Sequence, residues 1–114
     1  MRILVTGSRN FTNTKLMYNA LSSIQNNDIT LVHGGCRGAD KIAEKIGKEL
    51  GFQIEEHLAD WEKHSKSAGM IRNIEMLNSG IDLVLAFPMK ESRGTIHCIK
   101  EAVGKNIPVI KVGK

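Results

Sequence analysis

The sequence predicts an α/β fold: a five-stranded parallel sheet with helices on both faces. Three observations carry that expectation. Five short β-rich runs alternate with four amphipathic stripes at helical spacing. Three of those runs are almost continuously apolar, as strands covered on both faces must be. Glycine-bearing turns stand where strands hand over to helices.

In chain order, the first run is Arg2 to Thr6. A helix follows, with Leu16, Met17, Ala20, Leu21 and Ile24 on one face. The second run is Ile29 to His33. Its helix carries Ile42, Ala43, Ile46 and Leu50 and stops at Gly51. The third run, Gln53 to Leu58, alternates more weakly. A polar stretch leads to a helix marked by Ile71, Ile74 and Leu77 that closes near Gly80. The fourth run is Asp82 to Phe87. The last helix, marked by Ile96, Ile99 and Val103, closes at Gly104 before the final run, Pro108 to Val112. Such alternation calls for right-handed crossovers. Ligands of such sheets lie beyond the C-terminal strand ends.

The 114 residues fit one domain, residues 1–114, with one modest core. Hydrophobic residues make up 41% and charged ones 25%, an ordinary globular balance. Aromatics are only 4%, so aliphatic side chains must fill the interior. A net charge of +4 and a pI near 9.2 admit an anionic ligand. The excess is diffuse: Lys41, Lys45 and Lys48 alternate with Glu44 and Glu49, and Lys100, Lys105, Lys111 and Lys114 are spread over the end. Without a dense basic block, charge alone does not call for nucleic acid. Cys36 and Cys98 lack metal-ligand spacing, and two cysteines make no disulfide scaffold, so free thiols are expected. The opening apolar run is too short for a signal sequence, and no stretch reaches the ~18–20 apolar residues of a membrane helix. A soluble, cytoplasmic protein without membrane contact is the expectation.

The turns supply the candidate site. After the first strand, Gly7 allows close backbone approach, Ser8 offers a hydroxyl and Arg9 a bidentate donor. A plain turn with an exposed Arg9 is the alternative. After the second strand come Gly34, Gly35, Cys36, Arg37, Gly38, Ala39 and Asp40. Glycines around a helix start favour an anion, and Arg37 adds charge. Asp40 either favours the helix N-terminus by its charge, accepts from a ribose or base, or acts as a general base. The run is neither G-x-G-x-x-G nor a P-loop ending in Lys-Ser/Thr, which disfavours an NAD dehydrogenase or an ordinary ATPase.

After the third strand, Trp61 either stacks on a base or caps the core. His57 and His64 have no companions at metal-site spacing, so no metal is expected. Arg72 and Asn73 open the third helical stripe, with Glu75 one turn beyond Arg72. Arg72 either pairs with Glu75 or meets a phosphate or a departing base. Met70 and Met76 read as core or rim packing. Before the fourth helix, Ser92, Arg93, Gly94 and Thr95 form a second phosphate-type turn, or simply cap that helix.

Taken together, these residues resemble the SLOG superfamily, most closely its small YspA/cpYpsA-related members. The matching set is Gly7-Ser8-Arg9, Gly34-Gly35-x-x-Gly38-Ala39-Asp40, Asp60-Trp61, Ala68-Gly69, Arg72-Asn73, Met76, Ala86-Phe87 and Gly94-Thr95. The resemblance covers nearly the whole chain. It implies a Rossmann-like fold, nucleotide or nucleotide-derived ligands, and a homodimer. On that basis Gly69 joins the ligand-binding candidates, and no bound cofactor is implied. A more distant resemblance is to the LOG phosphoribohydrolases, which split the N-glycosidic bond of nucleoside monophosphates. Arg72 with Met76 and Gly94-Thr95 look like two of their elements. Their catalytic glutamate, however, falls on Cys98, and Met89-Lys90-Glu91-Ser92 replaces their paired glycines. Arg72 with Asp40 or Glu75 would have to supply the chemistry, with Asp60 as a further carboxylate. DprA, which binds single-stranded DNA, shares the G-S-R start, a glycine loop ending in Asp and a later R-N.

Three functions follow. The first is a binder or sensor of a nucleotide or nucleotide derivative (a nucleoside monophosphate or ADP-ribose-like molecule). The second is an N-glycosidic hydrolase of such a ligand. The third is a single-strand nucleic-acid binder, disfavoured by the few aromatics available for stacking.

Overall fold

The chain runs β1 (Arg2–Gly7), α1 (Thr14–Ser22), β2 (Thr30–His33), α2 (Ala39–Glu49), β3 (Gln53–Glu56), α3 (Trp61–His64), a 3-10 turn (Ser65–Ser67), α4 (Ala68–Leu77), β4 (Leu83–Phe87), α5 (Arg93–Gly104) and β5 (Val109–Lys111). The computed structural model describes residues 1–24, 28–89 and 92–113, with only the backbone of Lys66. Lys90, Glu91 and Lys114, named above, lie outside the described residues. The strands form one parallel sheet in the order β3-β2-β1-β4-β5. After β3 the chain crosses to the other side of β1, so the winding reverses between β1 and β4. The loops beyond these two strands therefore diverge and open a crevice.

The pleat assigns the core. Ile3, Val5, Leu31, Leu85 and Phe87 face one way and meet Met17 and Leu21 of α1 and Ala43 and Ile46 of α2. Leu4, Val32 and Val84 face the other way and meet Met76 and Leu77 of α4 and Cys98 and Ala102 of α5. Both faces are thus covered, as the continuous apolar runs require. Phe11 and Phe87 add an edge-on ring pair with centroids 5.3 Å apart.

Three details depart from the sequence reading. The third strand ends at Glu56, and Leu58 beyond it is 70% exposed. The polar stretch before α4 contains α3 and the 3-10 turn, begun where the Asp60 carboxylate accepts from the Lys63 amide at 3.1 Å. The buried face of α5 is Thr95, Cys98 and Ala102, while Ile96 and Val103 are 51% and 62% exposed. Small side chains face the sheet there, where Leu4, Val84 and Met76 already fill the space between the layers.

Candidate functional site

Beyond the ends of β1 and β4 lies a pocket of about 400 Å³, within the range of small-molecule sites. Its floor is Val5 and Thr6, and residues 7–10 form one side. Cys36, Arg37 and Asp40 come from the β2–α2 loop and the first turn of α2. Arg72, Asn73 and Met76 come from α4, and residues 92–95 from the start of α5.

The two loops on the β1–β2 side hold each other. Gly38 has φ +79°, and a side chain there would collide with the backbone carbonyls of Ser8 and Arg9. The Ala39 amide donates to the Ser8 carbonyl at 3.1 Å, and a side chain on Gly7 would strike the Ala39 methyl. The Ser8 hydroxyl accepts from the Asn10 amide at 3.0 Å, closing the turn. Gly38 and Ala39 thus stand behind the pocket and brace it.

Asp40 is nearly buried. One oxygen of its carboxylate accepts from the amides of Gly34 (3.0 Å) and Cys36 (3.3 Å). Burial pushes the carboxyl above its ordinary range. The Cys36 amide, His33, the Gly34 amide and Arg72 pull the other way without reversing it. The Gly35 amide donates to Nδ1 of the fully buried His33 at 2.9 Å. The amides of Gly34, Gly35 and Cys36 are therefore spent inside the loop. That corrects the picture of this glycine run as an open anion cradle.

His33 Nε2 lies 2.8 Å from Glu44, and Glu56 is close enough that one ligand atom from each of the three falls within 4.8 Å of the others. The group does not fit a metal. Nδ1 already accepts a hydrogen bond, so the ring proton is on Nε2, which donates to Glu44 instead of offering a lone pair. Lys41 and Lys48 also occupy Glu56 and Glu44.

Arg72 reaches from α4 across the pocket mouth. Its Nη1 donates to the Gly34 carbonyl at 2.9 Å and meets the Cys36 sulfur at 3.5 Å, while Nε donates to Asn73 Oδ1 at 3.3 Å. Gly34 lacks a side chain where the guanidinium lies: a Cβ would stand 2.7 Å from the Arg72 guanidinium carbon. Nearly buried Asn73 in turn donates to the Gly94 carbonyl at 3.3 Å, linking α4 to the first turn of α5.

The electrostatics favour an anion. Among the described residues, Arg9, Arg37, Arg72 and Arg93 line the pocket against a single carboxylate, Asp40. None of the four arginines is in an ion pair among the described residues. The helices α2 and α5, whose first turns border the pocket, start without a side-chain cap, whereas Asn13 caps α1 by accepting from the Leu16 amide. Ser92 is occupied elsewhere, accepting from the Met89 amide at 3.0 Å.

Of the sequence candidates, the fold brings together Gly7, Ser8, Arg9, Arg37, Asp40, Arg72, Asn73, Arg93, Gly94 and Thr95 around this pocket. Gly34, Gly35, Gly38 and Ala39 support it from behind. Trp61 is 52% exposed and neither lines the pocket nor caps the core. Gly69 is not in the pocket wall. Glu75 is exposed, off the pocket and unpaired with Arg72 among the described residues. Cys98 is fully buried in the α4–α5 core. Burial pushes its thiol up to about 11, although the Thr6 hydroxyl beside it pulls the other way. Asn10 and Cys36 line the pocket without having been singled out. Cys36 lies inside the glycine run, and that position was the available signal.

The phage relative that matches the chain is the "Gene 61 protein" of Mycobacterium phage D29. It is 44% identical over 120 aligned residues, covering 98% of this chain and 96% of the relative. Among solved structures, DNA processing protein A (DprA) from Streptococcus pneumoniae superposes with a TM-score of 0.81 at 14% identity. That match takes in 96% of this chain but 49% of the DprA chain, so this chain spans about half of DprA's length. The model of the YspA, cpYpsA-related SLOG family matches residues 1–64, from β1 through α3. This Rossmann-like chain belongs to the YspA, cpYpsA-related SLOG family.

Proposed function

We propose that the protein binds a nucleotide or nucleotide-derived ligand, as a binding protein or sensor, with a phosphate held at the strand ends. The observation that carries this reading is the convergence on one pocket of four arginines, none in an ion pair among the described residues, with the start of α5, which has no side-chain cap. The first turn of α5 supplies amides, and Arg93, Arg9 and Arg37 supply charge. Arg72 is pre-positioned by Gly34 and Asn73, so little side-chain entropy is lost when it engages.

Calorimetric titration with AMP, GMP, CMP and UMP tests the reading. At least one should bind, and Arg72→Ala should weaken it about 10- to 100-fold, the worth of one charge-assisted contact. Heatless titrations with all four, and with pyrophosphate, overturn it.

One observation favours hydrolysis as a second reading. Asp40 is the only carboxylate lining the pocket among the described residues, and burial raises its pKa above the ordinary carboxylate value. In that reading Asp40 takes a proton from water attacking C1′ of the ribose. The C1′–N bond breaks, Arg72 steadies the negative charge developing on the departing base, and the base then takes the proton that Asp40 received from the water, which returns Asp40 to its carboxylate. Free base should then appear from a nucleoside monophosphate with wild type and not with Asp40→Asn. No release from any of the four sinks it. The DprA likeness favours a third reading, a nucleic-acid strand in the pocket. Affinity for an oligonucleotide that does not fall with added salt would contradict it.

A further inference from the structure

We propose that the groove between α1 and α2 is a second subsite of the same ligand. It takes a ring-bearing group joined through pyrophosphate to the nucleotide at the strand ends. The inference rests on the phosphate-binding reading of the pocket above.

The groove has a volume of about 790 Å³ and runs between Lys15 and Tyr18 of α1 and Ile42 and Lys45 of α2. Its adjacency to the pocket is the first observation: Arg9 and Arg37 line both. A ligand crossing from one to the other passes two guanidiniums, where a pyrophosphate linkage would be neutralised. The second observation is the chemistry of the groove. Phe11 and Ile46, each 6% exposed, form an apolar floor, and the Tyr18 ring beside it is 45% exposed. The rim is cationic. Lys15, Lys41 and Lys45 stand there with Glu49 as the only lining carboxylate among the described residues. Lys41 is paired with Glu56, which leaves Lys15 and Lys45 for the ligand among the described residues.

An apolar floor under a cationic rim suits a flat ring carried by an anionic linker. It does not suit a neutral apolar peptide, which would desolvate the lysines without compensation. A run of stacked bases would need several exposed aromatic faces, and among the described residues the groove offers that of Tyr18, Phe11 being buried.

The test compares each nucleoside monophosphate with the matching 5′,5′-dinucleoside pyrophosphate. Wild type, Tyr18→Ala and Ile42→Glu are titrated, with circular dichroism and melting to confirm the fold. Neither residue lines the strand-end pocket. In wild type the dinucleoside compound should bind about tenfold tighter or more than the monophosphate. Each variant should abolish that gain and leave monophosphate affinity within about twofold. Monophosphate binding with no gain from the second nucleoside overturns the groove and leaves the pocket reading standing. Equal loss of both ligands in the variants also overturns the groove. No binding of any compound overturns both. Ile42→Glu-sensitive binding of an oligothymidylate of about twelve nucleotides, without dinucleoside binding, replaces the proposal with strand docking.

Discussion

Gly34 and Gly38 bracket one loop, yet they lack side chains for different reasons. At Gly34 the obstruction is the far end of Arg72, which can move. Gly34→Ala should therefore cost the fold under about 1 kcal/mol. It should nevertheless swing the guanidinium off the pocket wall and weaken monophosphate binding about tenfold. At Gly38 the obstruction is backbone, and φ is +79°. Gly38→Ala should cost about 3 kcal/mol or more, combining strain and overpacking. Urea unfolding of both variants beside calorimetry separates the two roles. A Gly34→Ala protein as unstable as Gly38→Ala would contradict this assignment.

At the scale of elements, the edge strand β3 is tied to the sheet by charge as well as by the packing of Ile54 on the core. Glu55 accepts two bonds from the Arg2 guanidinium, at 2.9 and 2.7 Å, and lies 2.6 Å from His57 Nε2. Arg2, then His57, hold its carboxyl down at about 2. A depressed folded pKa stabilises above the unfolded value of 4.5, and that contribution is lost as pH falls from there toward about 2. Glu55→Gln should thus destabilise the neutral protein while flattening its acid limb in that window. The groups are about a third exposed, so solvent screening limits the loss to about 1 kcal/mol. An unchanged acid limb in the variant would refute the assignment.

The same elements show what was legible in the chain. Continuous apolar runs located β1, β2 and β4, because strands covered on both faces leave that trace. The α5 stripe was misplaced by one residue. Ile96 and Val103 look like core until the packed layers leave room only for Thr95, Cys98 and Ala102, and that space is a tertiary property. The short α3 is capped by Asp60, but it carries no apolar period by which the sequence could show it. Among site residues, the arginines of the turns were legible because strand ends converge in such folds. The fate of the glycine-loop amides was not. Whether Asp40 and His33 take them depends on side chains folding back on their own loop, which spacing does not encode.

For the whole molecule, the pocket joins two layers. Its β1–β2 wall belongs to the layer of α1 and α2, and its other wall to that of α4 and α5. A ligand touching both acts against global unfolding. At a hundredfold excess over Kd it should add about 2.7 kcal/mol, or roughly 8–12 °C in Tm for a domain of this size. A compound that binds by calorimetry yet leaves Tm unmoved would have to bind the unfolded chain equally well, and so not through a pocket that exists only on folding.

The internally bonded glycine loop leads to one more consequence, in the exchange of amide hydrogens with solvent. Gly34, Gly35 and Cys36 donate to partners that are present without any ligand. Their deuterium uptake should already be slow in the empty protein and change little on binding. The opening amides of α5 have no side-chain cap, so they should exchange quickly at first and slow when an anion arrives.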